Sequence, residues 1–143
     1  MIYNSTTSLP HKAIGEKYVF LAGSMDANTT LNWRTQCIAA LENSHHIFDP
    51  THKDHDSLNK CEMENHINWE LDALNRADII LLNFLPNALS PISLVELGLY
   101  VASDKLIVIC PKEFYKNTYV TTLCKKYNTP IVLSTEEALN TIK

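Results

Sequence analysis

The sequence predicts an α/β fold: a single three-layer domain in which a five-stranded parallel sheet carries helices on both faces. Two observations lead there. Short apolar runs such as YVFLA, IILLNF and LIVI alternate with longer segments of helical periodicity, the pattern of strand–helix units that feed a parallel sheet. Most of the runs also stop at a breaker (Gly23-Ser24, Asp49-Pro50, Pro86, Pro111), where a chain leaving a strand turns toward its next element.

The elements follow in order. Residues 1–16 are polar, contain Pro10 and read as an extended N-terminal arm, leaving residues 17–143 as the domain. Residues 18–22 form a buried strand. Asn28, Thr29 and Thr30 offer N-caps for a helix running to about residue 43, with Leu31, Ile38 and Leu41 on one face. Ile47 and Phe48 make a short strand, and residues 51–60 (THKDHDSLNK) a polar loop. A second helix covers residues 61–77, followed by a strand over 78–85, a turn over 86–90 and a third helix over 91–103. Residues 106–109 are the next strand, 118–127 a helix and 130–133 the last strand. A terminal helix over 135–142 has Ser134 as its cap.

At 143 residues the chain is long enough for one well-packed core. Its hydrophobic content of 45% and charged content of 20% are those of a globular protein, and a net charge of −4 gives no electrostatic reason to expect nucleic acid or an anionic membrane. The N-terminus lacks the basic and apolar regions of a signal peptide, and no apolar run approaches the roughly 20 residues of a membrane span, so the expectation is a cytoplasmic protein. Cys37, Cys61, Cys110 and Cys124 are scattered and read as free thiols. With three glycines in the chain, neither a GxGxxG turn nor a Walker A loop can be assembled, so any nucleotide-like ligand is held by another device. No cofactor and no metal is expected.

The informative residue is Glu96. It is the only charged side chain in the 25 positions between Asp78 and Asp104, on a helix that is apolar nearly all round through Ile92, Leu94, Val95, Leu97, Leu99 and Val101 and is therefore expected to be buried on several sides. A carboxylate in that setting costs several kcal/mol unless it is paired or used. It lies near the end of a strand, where open α/β sheets bind ligands. A second acid joins it on the preceding helix. At about 100° per residue from Met63, a stripe forms from Ile67, Leu71, Leu74 and Ala77, and Glu70 falls inside it while Asp72 points the opposite way. Asp72 is therefore a surface charge and Glu70 faces the interior or a cleft. The competing reading for Glu70 is an ion pair or a cap at the sheet edge, and for Glu96 a carboxylate bonded to backbone amides. The two acids converge if the helices following two adjacent strands pack on one side of the sheet and open at its carboxyl edge. Two carboxylates so placed suit chemistry at an acetal-like carbon, one attacking or stabilising an oxocarbenium-like centre while the other manages a proton.

YVFLAGSMD, NWR, FDP, INWELDALNRADIILLNF, SPISLVELGLY and VICPKEFYKN, in that order, resemble the nucleoside 2-deoxyribosyltransferase family, and most closely its short deoxyribosyltransferase-like branch. The likeness runs over residues 18–131 and implies a flavodoxin- or Rossmann-like sheet. It also implies that Glu96 is a nucleophile toward C1′ of a 2′-deoxynucleoside, holding the sugar as an ester until a second base attacks, with retention overall. Glu70 stands where many relatives have an Asp that contacts or protonates the base. Ser90 and Ser93 flank the start of the third helix, and relatives bind the 5′ end of the sugar with a residue at the position of Ser90. Ser90, unlike an Asp, is compatible with a phosphate there, which keeps open hydrolysis of deoxynucleoside 5′-monophosphates; N-capping is the competing reading for both serines. Gly23, Ser24 and Met25 correspond to a loop near base and sugar, or form an ordinary turn. Trp33 and its neighbour Arg34 line the base pocket or pack the first helix. Asn117, with Tyr115 beside it, resembles an asparagine lent to a neighbouring subunit's sugar site, implying a homodimer or a multiple of dimers.

The resemblance implies nucleosides and free bases as partners. A third reading is a nucleoside- or nucleotide-binding module without turnover, which the two desolvated acids argue against. The histidine- and aspartate-rich stretch 45–56 matches no compact zinc pattern and reads as a solvated loop or a lid over the base; relatives often carry basic residues there.

Overall fold

Six parallel strands form one sheet in the computed structural model, which describes residues 1–24 and 32–142. The strands are β1 (Ile2–Tyr3), β2 (Tyr18–Gly23), β3 (His46–Phe48), β4 (Ile79–Asn83), β5 (Leu106–Ile109) and β6 (Ile131–Val132). They lie in the order β1-β3-β2-β4-β5-β6. The helices are α1 (Trp33–Leu41), α2 (Lys60–Arg76), α3 (Pro91–Tyr100), α4 (Asn117–Lys126) and α5 (Thr135–Ile142). The three-layer α/β expectation holds, with one strand more than the five foreseen. The extra strand comes from the arm: Ile2 and Tyr3 pair with Ile47 and Phe48. Two residues in a polar stretch are too few to leave a periodicity. Further contacts tie the arm down, with Lys12 Nζ 2.6 Å from Asp78 Oδ1 and Arg76 Nη1 donating to the Pro10 carbonyl at 3.1 Å.

Strand alternation splits the core into two layers. Tyr18, Phe20, Ala22, Ile80, Leu82, Leu106 and Val108 pack in one cluster with residues of α2, α3 and α4. Val19, Leu21, Leu81, Ile107 and Ile109 pack in the other, with α1 and α5. Burial on both faces explains why these strands read as unbroken apolar runs. Each buried Leu, Ile or Phe side chain contributes roughly 1.5–3 kcal/mol.

The chain runs from β2 outward to β3 and then crosses back to β4 on the other side of β2. The crevice between the carboxyl ends of β2 and β4 is therefore the topological switch point of the sheet. Gly23 and Asn83 are in register there. Gly23 has φ +138°, and a Cβ in its place would lie 2.3 Å from the Asn83 carbonyl oxygen, so only glycine lets the two strands close up.

Helix limits follow local chemistry. Asn59 and Glu62 form a reciprocal capping box that starts α2 one residue earlier than the apolar pattern indicates. Asn32 caps α1, while the expected caps Asn28, Thr29 and Thr30 lie outside the described residues. All four cysteines are free, and three of them are buried. Among the described residues no helix is long and apolar enough to cross a membrane.

Candidate active site

The apolar stripe along α2 forms the wall of a cavity over most of its length and joins the core only at Leu74 and Ala77. Met63, Ile67, Glu70, Leu71 and Leu74 all line the cavity, and Ile67 and Leu71 remain 44% and 45% exposed. The core side of α2 lies next to that stripe, at His66, Trp69, Ala73 and Leu74. Opposite, α3 contributes Ile92, Ser93, Val95, Glu96 and Leu99. The expectation that α3 is buried on several sides is corrected here: Ile92, Val95 and Leu99 are 64%, 58% and 59% exposed. The helix is apolar all round because one face packs on the sheet while another forms the cavity wall and its open rim. Between the helices lies a volume of about 500 Å³, floored by Phe20, Ala22 and Gly23 of β2.

Glu70 and Glu96 both line this cavity. The geometric condition for their convergence is met in a modified form: α2 and α3 share one face of the sheet, but the strands before them, β3 and β4, flank β2 instead of adjoining each other. Glu96 is 7% exposed, and among the described residues nothing hydrogen-bonds its carboxylate, so the reading of an acid tied to backbone amides does not apply. Burial pushes Glu96 up to about 7, and the like charge of Glu70 adds to the rise while Arg34 opposes it. Glu70 is also pushed up to about 7 by burial, against the pull of His55 and Arg34. Desolvated carboxyls lining one cavity disfavour the doubly ionised state, so one of the two tends to keep its proton toward neutral pH. One ionised and one protonated acid is the combination that nucleophile-plus-acid chemistry requires.

The cation they share is Arg34, which lines the cavity and is 3% exposed. Its guanidinium donates to the carbonyls of Leu21, Gly23 and Ser24 at 3.1, 3.0 and 3.2 Å, fixing the turn after β2. Burial lowers it to about 10, and Asp49, Glu96 and Glu70 oppose the drop. Its neighbour Trp33 points elsewhere, into the core beside Cys37 and Leu41, with its indole N–H donating to the Ser24 carbonyl. Of the two residues weighed together in the sequence, Arg34 faces the cavity and Trp33 packs α1.

A side recess of about 250 Å³ shares Gly23, Ile92 and Ser93 with the main cavity and adds Ser24 and Ser90. Ser90 begins α3 but does not cap it. Its backbone is left-handed at φ +53°, and its hydroxyl bonds that of Ser24 instead. Ser24 Oγ in turn accepts from the Leu85 amide at 3.3 Å. Ser93 is buried on the first turn of α3 and faces both spaces. Gly23, Ser24, Ser90, Ser93, Glu70 and Glu96 are thus gathered at one sheet edge. Met25 lies outside the described residues. Asn117 is not at this cavity; at the start of α4 its side-chain amide donates to the Pro111 carbonyl at 3.0 Å. Tyr115 donates to the Leu89 carbonyl at 2.9 Å. His52 and His55 of the histidine-rich loop stand edge-on to His66, and His55 lines the cavity mouth. Among the described residues no group of three or more His, Cys, Asp or Glu side chains is arranged to hold a metal.

The sequence reading passed over His66, a buried wall residue one turn before Glu70, with Nε2 2.9 Å from Glu70 Oε1. The signal was available in the i,i+4 spacing.

The fold and the paired acids define the class, and comparison with known proteins agrees. The family model described as "nucleoside 2-deoxyribosyltransferase like" matches residues 16–114, and the chain belongs to that family. Among solved structures, one titled as a conserved protein from Enterococcus faecalis V583 is similar with a TM-score of 0.58. It is 13% identical, and the match covers 88% of this chain and 96% of that one, a likeness of fold. No curated protein matches the sequence significantly.

Proposed function

We propose that the protein is a nucleoside 2-deoxyribosyltransferase. The observation that carries the proposal is the placement of Glu70 and Glu96 in one largely apolar cavity at the sheet's switch point, lined also by the buried Arg34, where burial pushes both carboxyls up to about 7. Ionised Glu96 attacks C1′ of a 2′-deoxynucleoside. The C1′–N bond breaks, its electron pair leaves with the base, and Glu70 supplies the proton the base takes up. The glutamyl ester then yields to a ring nitrogen of a second base, whose proton returns to Glu70, so configuration at C1′ is retained. Arg34 limits the cost of the carboxylate that exists at each stage. The apolar walls from Met63, Ile67, Leu71 and Leu99 suit a flat base and keep water from the ester.

Ser24, Ser90 and Ser93 receive the 5′ end of the sugar. A recess lined by hydroxyls beside the start of α3, with no acid among the described residues that line it, accommodates a 5′-phosphate as well as a hydroxyl. This favours, as the second reading, an N-glycosidase of deoxynucleoside 5′-monophosphates in which water is the acceptor. The exposed apolar rim of α2 and α3 supports assembly into a homodimer or a multiple of dimers, and Asn117, away from its own cavity, is the residue lent to the neighbour.

The test is incubation with deoxyinosine and free adenine, and separately with the 5′-monophosphate donor. Deoxyadenosine formed from the first mixture supports transfer. Free hypoxanthine alone, from either donor, supports hydrolysis. No reaction across a set of donors, or full activity in Glu96→Ala, overturns the enzyme reading.

A further inference from the structure

His66 is the cavity-wall residue that the proposed reaction leaves without a task. It is 4% exposed, and its Nε2 sits 2.9 Å from Oε1 of Glu70. No well-aligned hydrogen bond reaches Nε2, so the Glu70 carboxyl is its nearest polar neighbour. The other ring nitrogen, Nδ1, lies 2.7 Å from Oγ of Ser5 on the N-terminal arm. His52 and His55, from the loop between β3 and α2, stand edge-on to the ring at 5.6 Å between centroids. Among the described residues, Arg34 of α1 and Glu96 of α3 are the remaining titratable groups that line the cavity with Glu70.

The bond made by one imidazole nitrogen determines where the ring proton resides. The Ser5 hydroxyl can donate to Nδ1 or accept from it; where it donates, the ring proton is on Nε2, beside Glu70. Burial, and after it the neighbouring His55 and His52, push His66 down from its ordinary range, while burial pushes Glu70 up to about 7.

We propose that His66 is a positioning residue for the acid. In the tautomer protonated at Nε2, which a donating Ser5 holds, a turn of the imidazole or of the carboxyl aligns Nε2–H on Oε1 of Glu70, 2.9 Å away, leaving Oε2 to carry the proton exchanged with the base. The N-terminal arm thereby becomes part of the active-site support. This inference rests on Glu70 being the acid of the proposed reaction.

The experiment is a carbon-13 NMR titration of glutamate side chains in the full chain, comparing wild type, His66→Phe, His66→Gln and Ser5→Ala. Losing the donor destabilises the ionised carboxyl, so His66→Phe raises the Glu70 titration by about one unit or more. His66→Gln places an amide N–H where Nε2 stood and returns the titration to near its wild-type position. A titration that His66→Phe leaves in place, or that His66→Gln shifts as far as His66→Phe does, overturns the proposal. If His66→Phe does not fold, Ser5→Ala carries the test: a smaller upward shift is expected, and none overturns it.

Turnover separates this inference from the reading beneath it. An acid works while protonated, so activity is lost as pH rises through the Glu70 titration. In His66→Phe that limb moves upward and kcat falls on the order of tenfold, with His66→Gln restoring both. Glu70→Gln with full activity removes Glu70 from the mechanism. Glu70→Gln inactive beside an unaltered His66→Phe removes only His66.

Discussion

The Ser90 hydroxyl meets that of Ser24, 66 residues away, instead of capping the helix that Ser90 begins. The bond fastens the start of α3 to the turn after β2, so the helix carrying Glu96 is anchored to the floor of the cavity. It also holds Ser90 at φ +53°, a conformation that costs an L-residue roughly 1–2 kcal/mol and glycine little. Ser90→Ala loses the buried hydroxyl contact and keeps the strain, whereas Ser90→Gly loses the contact and relieves it. The expected result in urea denaturation is Ser90→Ala less stable than Ser90→Gly by about 1 kcal/mol. Equal stability, or the reverse order, would show that the left-handed start of α3 is not strained.

Gly23 answers to a stricter condition. An added Cβ would meet the Asn83 carbonyl at 2.3 Å and the Asn83 amide nitrogen at 2.9 Å, both backbone atoms that cannot swing aside. The φ of +138° penalises any side chain independently. Gly23→Ala should therefore cost more than about 2 kcal/mol, at the upper end of single substitutions. Gly98, which has open space at its Cβ position, is the control, and Gly98→Ala should be neutral or stabilising because it removes glycine from a helix interior. Thermal melting of the two variants is sufficient, and a Gly23→Ala protein that melts with the wild type contradicts the packing argument.

The layers and both acids were legible in the sequence because each rests on a local pattern. Strands covered on two faces are apolar without interruption, and a glutamate inside such a pattern stands out on charge alone. What the pattern could not convey was use. The α2 stripe was correctly phased around Met63, Ile67 and Leu71, yet it faces a cavity, and periodicity does not distinguish apolar surface against core from apolar surface against a vacant space. Trp33 and Arg34 are adjacent residues on a short helix, and which one faces the site depends on how α1 seats against β2. Ser90 read as a cap because its partner lies across the fold. The edge strand β1 depends on pairing with β3, and two residues carry no signal of it. His66 escaped notice because a histidine on a polar-flanked turn of α2 looks ordinary until Glu70 is seen beside it.

Arg34 links the fold to the chemistry. Its fork donates to three backbone carbonyls at the end of β2 while its charge faces Glu70 and Glu96. Arg34→Met leaves those carbonyls without their donors and the acids without their cation. It should cost about 3 kcal/mol or more and raise both carboxyls further. Arg34→Lys keeps a charge but cannot reproduce the fork, so it should lie between wild type and Arg34→Met in stability. Urea midpoints rank the three proteins, and Arg34→Lys with wild-type stability would mean that the charge alone matters.

Glu96 carries a cost that a neutral isostere should remove. Its folded-state pKa of about 7 lies above the ordinary carboxyl value of 4.5. Between those values the folded protein holds a proton that the unfolded chain has released. The contribution of this group to stability is therefore fully present below about pH 4.5 and is lost as pH rises through about 7. Glu96→Gln has no charge to bury at any pH. It should be more stable than wild type by about 1–3 kcal/mol at pH 8, with the difference shrinking toward zero at pH 5, while losing the proposed transfer activity at both. Denaturation midpoints at the two pH values, read beside turnover, decide it. A variant that gains nothing at pH 8 would mean that Glu96 is ionised in the folded protein without penalty, and the charge that drew attention to it in the sequence would then be satisfied by contacts other than those described here.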